Sequence, residues 1–265
     1  MKEIQIDELR ELQMQILDYV DAFCRKNSIN YTLSGGTLLG AVRHGGYIPW
    51  DDDLDIQMLR SEYEKFTTLW NQSSEHDHYS FASVAFGNSM GYPFGKVYDN
   101  RTATFVKNFE RTGVFIDLFP IDGVLDDKDF VKRHSKIKRL HRQRMKVFNK
   151  IINKDSKKNI KTVLHCMFCQ HHIAFEDYAG IIDQIAQSVP LSQCPYVFEM
   201  VSGLKCKSPI PKKVFSSYQD LAFENRVYMA VEDTDLYLTK TFGDYMKLPP
   251  VENRVSHHSF TAYWK

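Results

Sequence analysis

The sequence predicts an α/β fold of the α+β type, in which a small mixed sheet is flanked by helices. Short strand-like runs bounded by glycine and proline alternate with longer segments of helical periodicity. The chain has 265 residues, of which 43% are hydrophobic. This is enough to form a sizeable core in one large domain or two small ones.

The first predicted element is an amphipathic helix over residues 7–26, because apolar side chains recur there at steps of three and four. Asp7 is its expected N-cap. Further helices are predicted at 37–43, at 61–70, and over 129–187 with a polar break at 154–159. Strands are predicted at 29–33, 54–59, 79–86 and 113–119, with a hairpin at 91–105.

The overall charge excludes a general affinity for nucleic acid, since 34 lysines and arginines balance 33 aspartates and glutamates. Residues 128–161 are an exception, with 14 basic and 2 acidic residues, a net charge of +12. The chain has five cysteines, and its first residues lack the apolar core of a signal peptide. We therefore expect a cytoplasmic protein without membrane-spanning segments.

Candidate catalytic residues occur where the sequence crowds four aspartates into the stretch PWDDDLDIQML. Asp53 and Asp55 are two residues apart, so on a strand they project to the same face. Asp117 lies within the apolar run VFIDLFP, where a charge is costly without a partner. Three converging carboxylates predict a site for Mg²⁺ or Mn²⁺ with bound phosphates. Gly35 and Gly36 would allow the backbone to approach these phosphates closely.

Two other interpretations of this stretch remain open. Asp51 and Asp52 are also typical of solvated turns. A calcium-binding loop fits in part, because Asp51, Asp53, Asp55 and Glu62 occupy positions 1, 3, 5 and 12 of the EF-hand register. Position 6 is Ile56, where that loop requires glycine, and this argues against calcium.

The segments SGGTLLGAVRHGGYIPWDDDLDIQM, FIDLFPIDG and FGDYMKLPPVENRVSHH together resemble the LicD family of phosphocholine transferases. That family belongs to the nucleotidyltransferase superfamily. The resemblance implies a nucleotidyltransferase-like core at 1–125, a basic helical insertion at 126–195, and a segment at 196–265 that completes the core. A catalytically inactive binding module is disfavoured because Asp53, Asp55 and Asp117 are all present.

The resemblance implies transfer of phosphocholine from CDP-choline to a sugar hydroxyl of a lipid-linked glycan, either teichoic acid or lipopolysaccharide, with release of CMP. Such a transfer needs positioning and charge neutralisation more than covalent catalysis. Metal ions on Asp53 and Asp55 would bridge the diphosphate, and Asp117 would complete the metal site or accept the hydroxyl proton. The alternative is that the donor is another CDP-activated alcohol or sugar phosphate, or that a nucleotidyl group is transferred.

Cations and aromatic rings are the expected substrate contacts. The expected phosphate-binding residues are Arg43, His44 and Lys96, and the expected closing residues are Arg254 and His257. Choline has no hydrogen-bond donor on its nitrogen and is usually held by aromatic faces. Trp50 is the first choice for this cage, and the other candidates are Tyr47, Tyr92, Phe94 and Tyr98.

Two further segments carry suggestive patterns. Cys166, Cys169 and His171 have the spacing of zinc ligands, although the segment around them keeps a helical apolar pattern typical of a core helix. The basic segment 128–161 has an apolar face that includes Ile137, Leu140 and Phe148. It predicts either a helix that contacts an anionic membrane surface or a solvated helix packed on the domain.

Overall fold

The computed structural model describes residues 1–73, 76–89, 91–106, 109–152, 177–203, 208–255 and 260–265. Within these ranges the predicted fold class is confirmed, because a mixed central sheet is flanked by helices.

The first helix, α1 (Ile6–Lys26), has Leu12, Ile16 and Val20 among its buried residues. Burying one such aliphatic side chain contributes about 1.5–3 kcal/mol to stability. Asp7 is not the N-cap: Gln5 holds that position, and Asp7 lies in the first turn.

The central sheet contains seven strands, β2 (Thr32–Leu33), β3 (Asp55–Leu59), β4 (Tyr79–Ala82), β5 (Gly95–Asp99), β8 (Phe115–Val124), β9 (Tyr196–Phe198) and β10 (Ile210–Pro211). Its main order is β10-β9-β8-β3-β2, and β5 and then β4 extend it from β8. The pair β3 and β8 is parallel, whereas the other pairs are antiparallel. Helix α2 (Gly35–His44) precedes β3 by a ten-residue loop, and helix α3 (Arg60–Gln72) follows β3 directly.

The predicted hairpin at 91–105 is wrong. Its two strands, β5 and β6 (Thr102–Val106), follow each other across a short turn but belong to different sheets. β5 pairs with β4 and β8, while β6 pairs with β7 (Phe109–Glu110) and β13 (Phe260–Trp264). β1 (Lys2–Glu3) completes this second sheet beside β13.

The inserted region contributes α4 (Asp127–Ile152) and α5 (Asp177–Ala186), which pack together. Ile137 and Leu140 of α4 are buried in an apolar cluster with Phe119 of the sheet. Phe148 packs against the guanidinium of Arg111, 5.0 Å from its ring centre. The apolar face of α4 therefore packs on the domain. Its exposed side, here called the basic face, carries Lys128, Lys132, Lys136, Arg139, Arg142 and Lys146.

The last third of the chain returns to the central sheet. β9 pairs with the second half of β8, and a separate hairpin of β11 (Tyr218–Phe223) and β12 (Arg226–Val231) leads to α6 (Thr234–Phe242). Among the described residues, none of the helices combines the length and apolar character needed to cross a membrane.

Candidate active site

The sheet brings two of the predicted acids side by side. β3 begins at Asp55, and the parallel register places Asp55 opposite Asp117 of β8. On the other side of β8, Lys96 of β5 lies opposite Asp117, and its ammonium forms an ion pair with Oδ1 of that carboxylate. Asp53 precedes β3 by two residues, so the three acids gather at one end of the parallel pair.

Burial and electrostatic repulsion both act on this cluster. The pKa of Asp55 is raised well above its ordinary range, first by burial and then by the negative charges of Asp53, Asp117 and Glu199. The ammonium of Lys96 acts in the opposite direction. The cluster therefore carries more negative charge than its lysine neutralises, as expected of a site that binds cations.

Lys96 is also enclosed by aromatic rings. It is only 4% exposed, and its ammonium lies 3.6 Å from the ring centre of Phe115, 4.5 Å from that of Tyr92 and 5.4 Å from that of Phe94. The face of an aromatic ring attracts a cation. Lys96 is thus held beside Asp117 by both an ion pair and ring contacts.

The two glycines begin α2 next to the aspartates, rather than preceding the helix as predicted. Gly35 has a φ of +47°, a left-handed conformation that favours glycine. A Cβ atom on Gly36 would lie 2.9 Å from Oδ2 of Asp51, so the backbone approaches this carboxylate closely. Thr37 Oγ1 accepts a hydrogen bond of 2.9 Å from the backbone N–H of Asp55. The start of α2 is therefore fixed against the acids.

Helix α1 holds the aspartate-rich loop in place. The guanidinium of Arg10 donates hydrogen bonds to the backbone oxygens of Ile48, Pro49 and Asp51, and Gln13 donates to that of Asp52 at 2.9 Å. Because residues 55–59 form a strand and Glu62 lies in α3, this stretch does not adopt the EF-hand conformation.

Tyr47 has a structural role in the same loop. It is 7% exposed and its ring packs against Arg10. Its hydroxyl donates a hydrogen bond of 3.1 Å to Gln13. Tyr47 therefore stabilises the loop instead of presenting its ring to a ligand.

A second cluster of predicted residues forms at the far end of α2. The guanidinium of Arg254 lies 5.6 Å from the ring centre of Trp50, and His44 lies 6.3 Å from the same residue, ring centre to ring centre. Arg43 donates to His44 and to the backbone oxygen of Tyr245. We call Arg43, His44, Trp50 and Arg254 the cationic cluster.

Within the described residues, the cationic cluster has no ion pair with a carboxylate. Burial and then the charge of Arg254 lower the pKa of Arg43, and burial and then Arg43 lower that of His44. In the part of the chain that the structure describes, neither arginine forms an ion pair with a carboxylate. The cluster is therefore suited to an anion. His44 is eight positions beyond Gly36 on α2, about 12 Å along the helix axis.

Glu199, which the sequence analysis missed, is linked to the acids through Gln57, two residues beyond Asp55 on β3. Gln57 donates to Oε2 of Glu199 and accepts a hydrogen bond of 2.8 Å from the hydroxyl of Tyr237. That hydroxyl also accepts the N–H of Gly35 at 3.3 Å. The sequence signal was one glutamate inside the apolar run YVFEMV.

Several predictions are not tested by this arrangement. His257, Cys166, Cys169 and His171 lie outside the described residues. Among the residues that are described, no three His, Cys, Asp or Glu side chains form a ready metal-binding group. Asp53, Asp55 and Asp117 are nevertheless chemically suited to a hard divalent cation, because they offer oxygen ligands and the cation would relieve the repulsion between their charges.

Comparison with known proteins identifies the family. Residues 28–161, about half of the chain, match the model of the LicD family, described as the LicD/FKTN/FKRP nucleotidyltransferase domain. The chain belongs to the LicD family. It is 33% identical to the lipopolysaccharide cholinephosphotransferase LicD of Haemophilus influenzae, over 99% of both chains. A segment of 38 residues, 14% of the chain, is 50% identical to part of the human ribitol 5-phosphate transferase FKRP, 8% of that protein.

Membership of the LicD family agrees with the geometry. The paired acids, the glycines at the start of α2 and the cationic cluster all lie between residues 35 and 117, apart from Arg254. The chain is accordingly an enzyme, a phosphotransferase.

Proposed function

We propose that this enzyme transfers phosphocholine from CDP-choline to a sugar hydroxyl of a cell-surface glycan precursor and releases CMP. The observation that carries the proposal is the register of Asp55 and Asp117 beside Lys96, in a chain similar over its whole length to a lipopolysaccharide cholinephosphotransferase. A glycan of the lipopolysaccharide or teichoic acid type is the expected acceptor.

The reaction is a substitution at the phosphorus that bears choline. The acceptor oxygen forms a bond to this phosphorus, and the bond to the bridging oxygen breaks, so that CMP leaves with the electron pair. In this proposal Asp117 would accept the hydroxyl proton or complete the cation site. Lys96 supplies positive charge beside it. Positioning and neutralisation of charge are the main requirements of such a transfer.

Mg²⁺ or Mn²⁺ is the proposed cofactor. Asp53, Asp55 and Asp117 would hold it, in competition with Lys96 for Asp117. A bound divalent ion supplies neutralisation of the diphosphate charge. The elevated pKa of Asp55 supports the proposal, because a cation among these carboxylates would relieve their repulsion.

The cationic cluster is proposed to bind the nucleotide half of the donor. Arg43 and Arg254 offer guanidinium groups without carboxylate partners among the described residues, and guanidinium matches phosphate oxygens well. Trp50 presents a half-buried ring beside them. A choline cation at Trp50 would meet like charges from Arg254 and its neighbours, so the nucleotide is the better occupant of this place.

The basic face of α4 is proposed to contact the anionic membrane that carries a lipid-linked acceptor. Because most of the apolar face of α4 packs on the domain, the proposed attraction is mainly electrostatic. Binding to phosphatidylglycerol vesicles should fall as salt rises. Replacing Lys132, Lys136, Arg139 and Arg142 with glutamine should abolish it without loss of transfer to a soluble acceptor. Vesicle binding that is unaffected both by salt and by these four substitutions would contradict the proposal.

The decisive experiment is incubation of the purified enzyme with CDP-choline, Mg²⁺ and candidate glycans, followed by analysis of the phosphorus retained on the acceptor. Phosphocholine on the glycan together with free CMP supports the proposal. CMP on the glycan with free phosphocholine would indicate nucleotidyl transfer instead. The similarity to FKRP favours one second candidate, the transfer of a polyol phosphate such as ribitol 5-phosphate, which CDP-ribitol in the same assay would detect.

A further inference from the structure

Glu199 is a buried carboxylate whose bonding is incomplete. It directly follows β9 and is 8% exposed. Gln57 donates to Oε2 and the side chain of Ser202 also stabilises the carboxylate, but Oε1 has no hydrogen-bond partner among the described residues. Buried polar atoms are nearly always partnered, so an exception is a candidate for a ligand contact.

Among the described residues, no cation forms an ion pair with Glu199 to compensate its charge. The structure shows no ion pair between Glu199 and any described lysine, arginine or histidine. The pKa of Glu199 is raised to about 7, chiefly by burial and also by the charge of Asp117, while the side chains of Ser202 and Gln57 act to lower it. A ligand cation would supply the missing positive charge.

Glu199 belongs to the same site as the catalytic acids. Its charge acts on Asp55, and the charge of Asp117 acts on it. Its partner Gln57 stands two residues beyond Asp55 on β3, about 6.6 Å along the strand. Gln57, which contacts Glu199, is therefore two strand residues from Asp55, a span that a short alkyl chain can bridge.

Aromatic rings adjoin this position. Phe119 lies opposite Gln57 in the register of β3 and β8. Its ring centre is 4.5 Å from that of Phe94, and both side chains are 8% exposed. Phe94 already contributes a face toward the ammonium of Lys96. Ring faces and an uncompensated carboxylate are the features that bind a quaternary ammonium, which offers no donor hydrogen.

We propose that Glu199, together with Phe94 and Phe119, binds the trimethylammonium group of the choline donor and thereby selects choline over uncharged alcohols. This inference rests on the proposed function, because it assigns the choline subsite of that same active site. It places the reacting phosphate at Asp55 and Asp117, the nucleotide toward the cationic cluster, and choline toward Glu199.

The test is a comparison of two donors that share a nucleotide and differ in charge. Dissociation constants for CDP-choline and CDP-glycerol are measured by calorimetry with Mg²⁺ and without acceptor. The wild type should prefer CDP-choline. Glu199→Gln, which keeps the shape of the side chain, should reduce that preference at least tenfold with CDP-glycerol binding unchanged. The matched control is Glu232→Gln, an exposed glutamate, which should leave the preference unchanged.

A second variant tests the choline subsite without changing the charge of the protein. Phe119→Leu retains an apolar side chain but removes the ring, and it should also reduce the preference for CDP-choline. Equal weakening of both donors by Glu199→Gln would overturn the assignment, as would an unchanged preference. Failure of the proposed function is a separate result: the wild type would then bind CDP-choline no better than CDP-glycerol, or would transfer no phosphocholine.

Discussion

Replacing Glu199 with glutamine should change how the stability of the protein depends on pH. Burial raises the pKa of Glu199 from an ordinary 4.5 to about 7 in the folded protein. The unfolded chain releases this proton near pH 4.5, whereas the folded protein retains it until about pH 7. Between these values the folded state binds more protons, so the free energy of unfolding falls as pH rises and is level above the folded pKa.

The size of this effect follows from the same two pKa values. One pKa unit corresponds to about 1.4 kcal/mol, so Glu199 should cost about 3 kcal/mol of stability at pH 8 relative to pH 4. Glutamine has no proton to release. The variant should therefore lack this contribution, and the difference in unfolding free energy between variant and wild type should grow with pH by about 3 kcal/mol.

Urea denaturation of both proteins at pH values from 4 to 9 measures this difference directly. The exposed Glu232→Gln variant controls for the loss of one negative charge. Parallel stability curves for wild type and Glu199→Gln would refute the reasoning, because Glu199 would then titrate alike in the folded and unfolded states. A gain in stability that accompanies a loss of choline preference would identify Glu199 as a residue kept for binding rather than for folding.

Three further predictions concern other parts of the molecule. Asp55→Asn should lower kcat/KM by at least about 100-fold, whereas Asp51→Asn should lower it less. Near-normal turnover by Asp55→Asn would contradict a role of Asp55 in charge stabilisation. Trp50→Leu should weaken CDP-choline and CDP equally in a binding assay, whereas a loss confined to CDP-choline would move the choline subsite to Trp50. Burial, followed by the charge of Arg144, lowers the pKa of His141 to about 4. As pH falls, the unfolded chain therefore binds this proton before the folded protein does, and the free energy of unfolding should fall by about 3 kcal/mol from pH 6.5 to pH 4. His141→Asn should reduce this pH dependence in the same denaturation series.

Local patterns determined much of the fold and the centre of the site. The apolar period of α1 predicted a helix over 7–26, and the structure has Ile6–Lys26, because a repeat of 3.6 residues depends only on neighbouring positions. The placement of Asp55 at the start of a strand, and of Asp117 within another, was likewise readable from apolar runs, whereas Asp53 lies two residues before its strand. The sequence also predicted the cations of the cationic cluster, although not that Arg254 would meet Trp50.

The tertiary structure decided which elements pair and which distant residues meet. The segment 91–105 reads as a hairpin, but β5 pairs with β8 and β6 with β13, because burial against the rest of the domain outweighs the short turn between them. Glu199 meets Gln57 across 142 residues of sequence. No local period encodes such a contact. Its energy depends on burial, on charge and on the packing of strands brought together only when the chain folds.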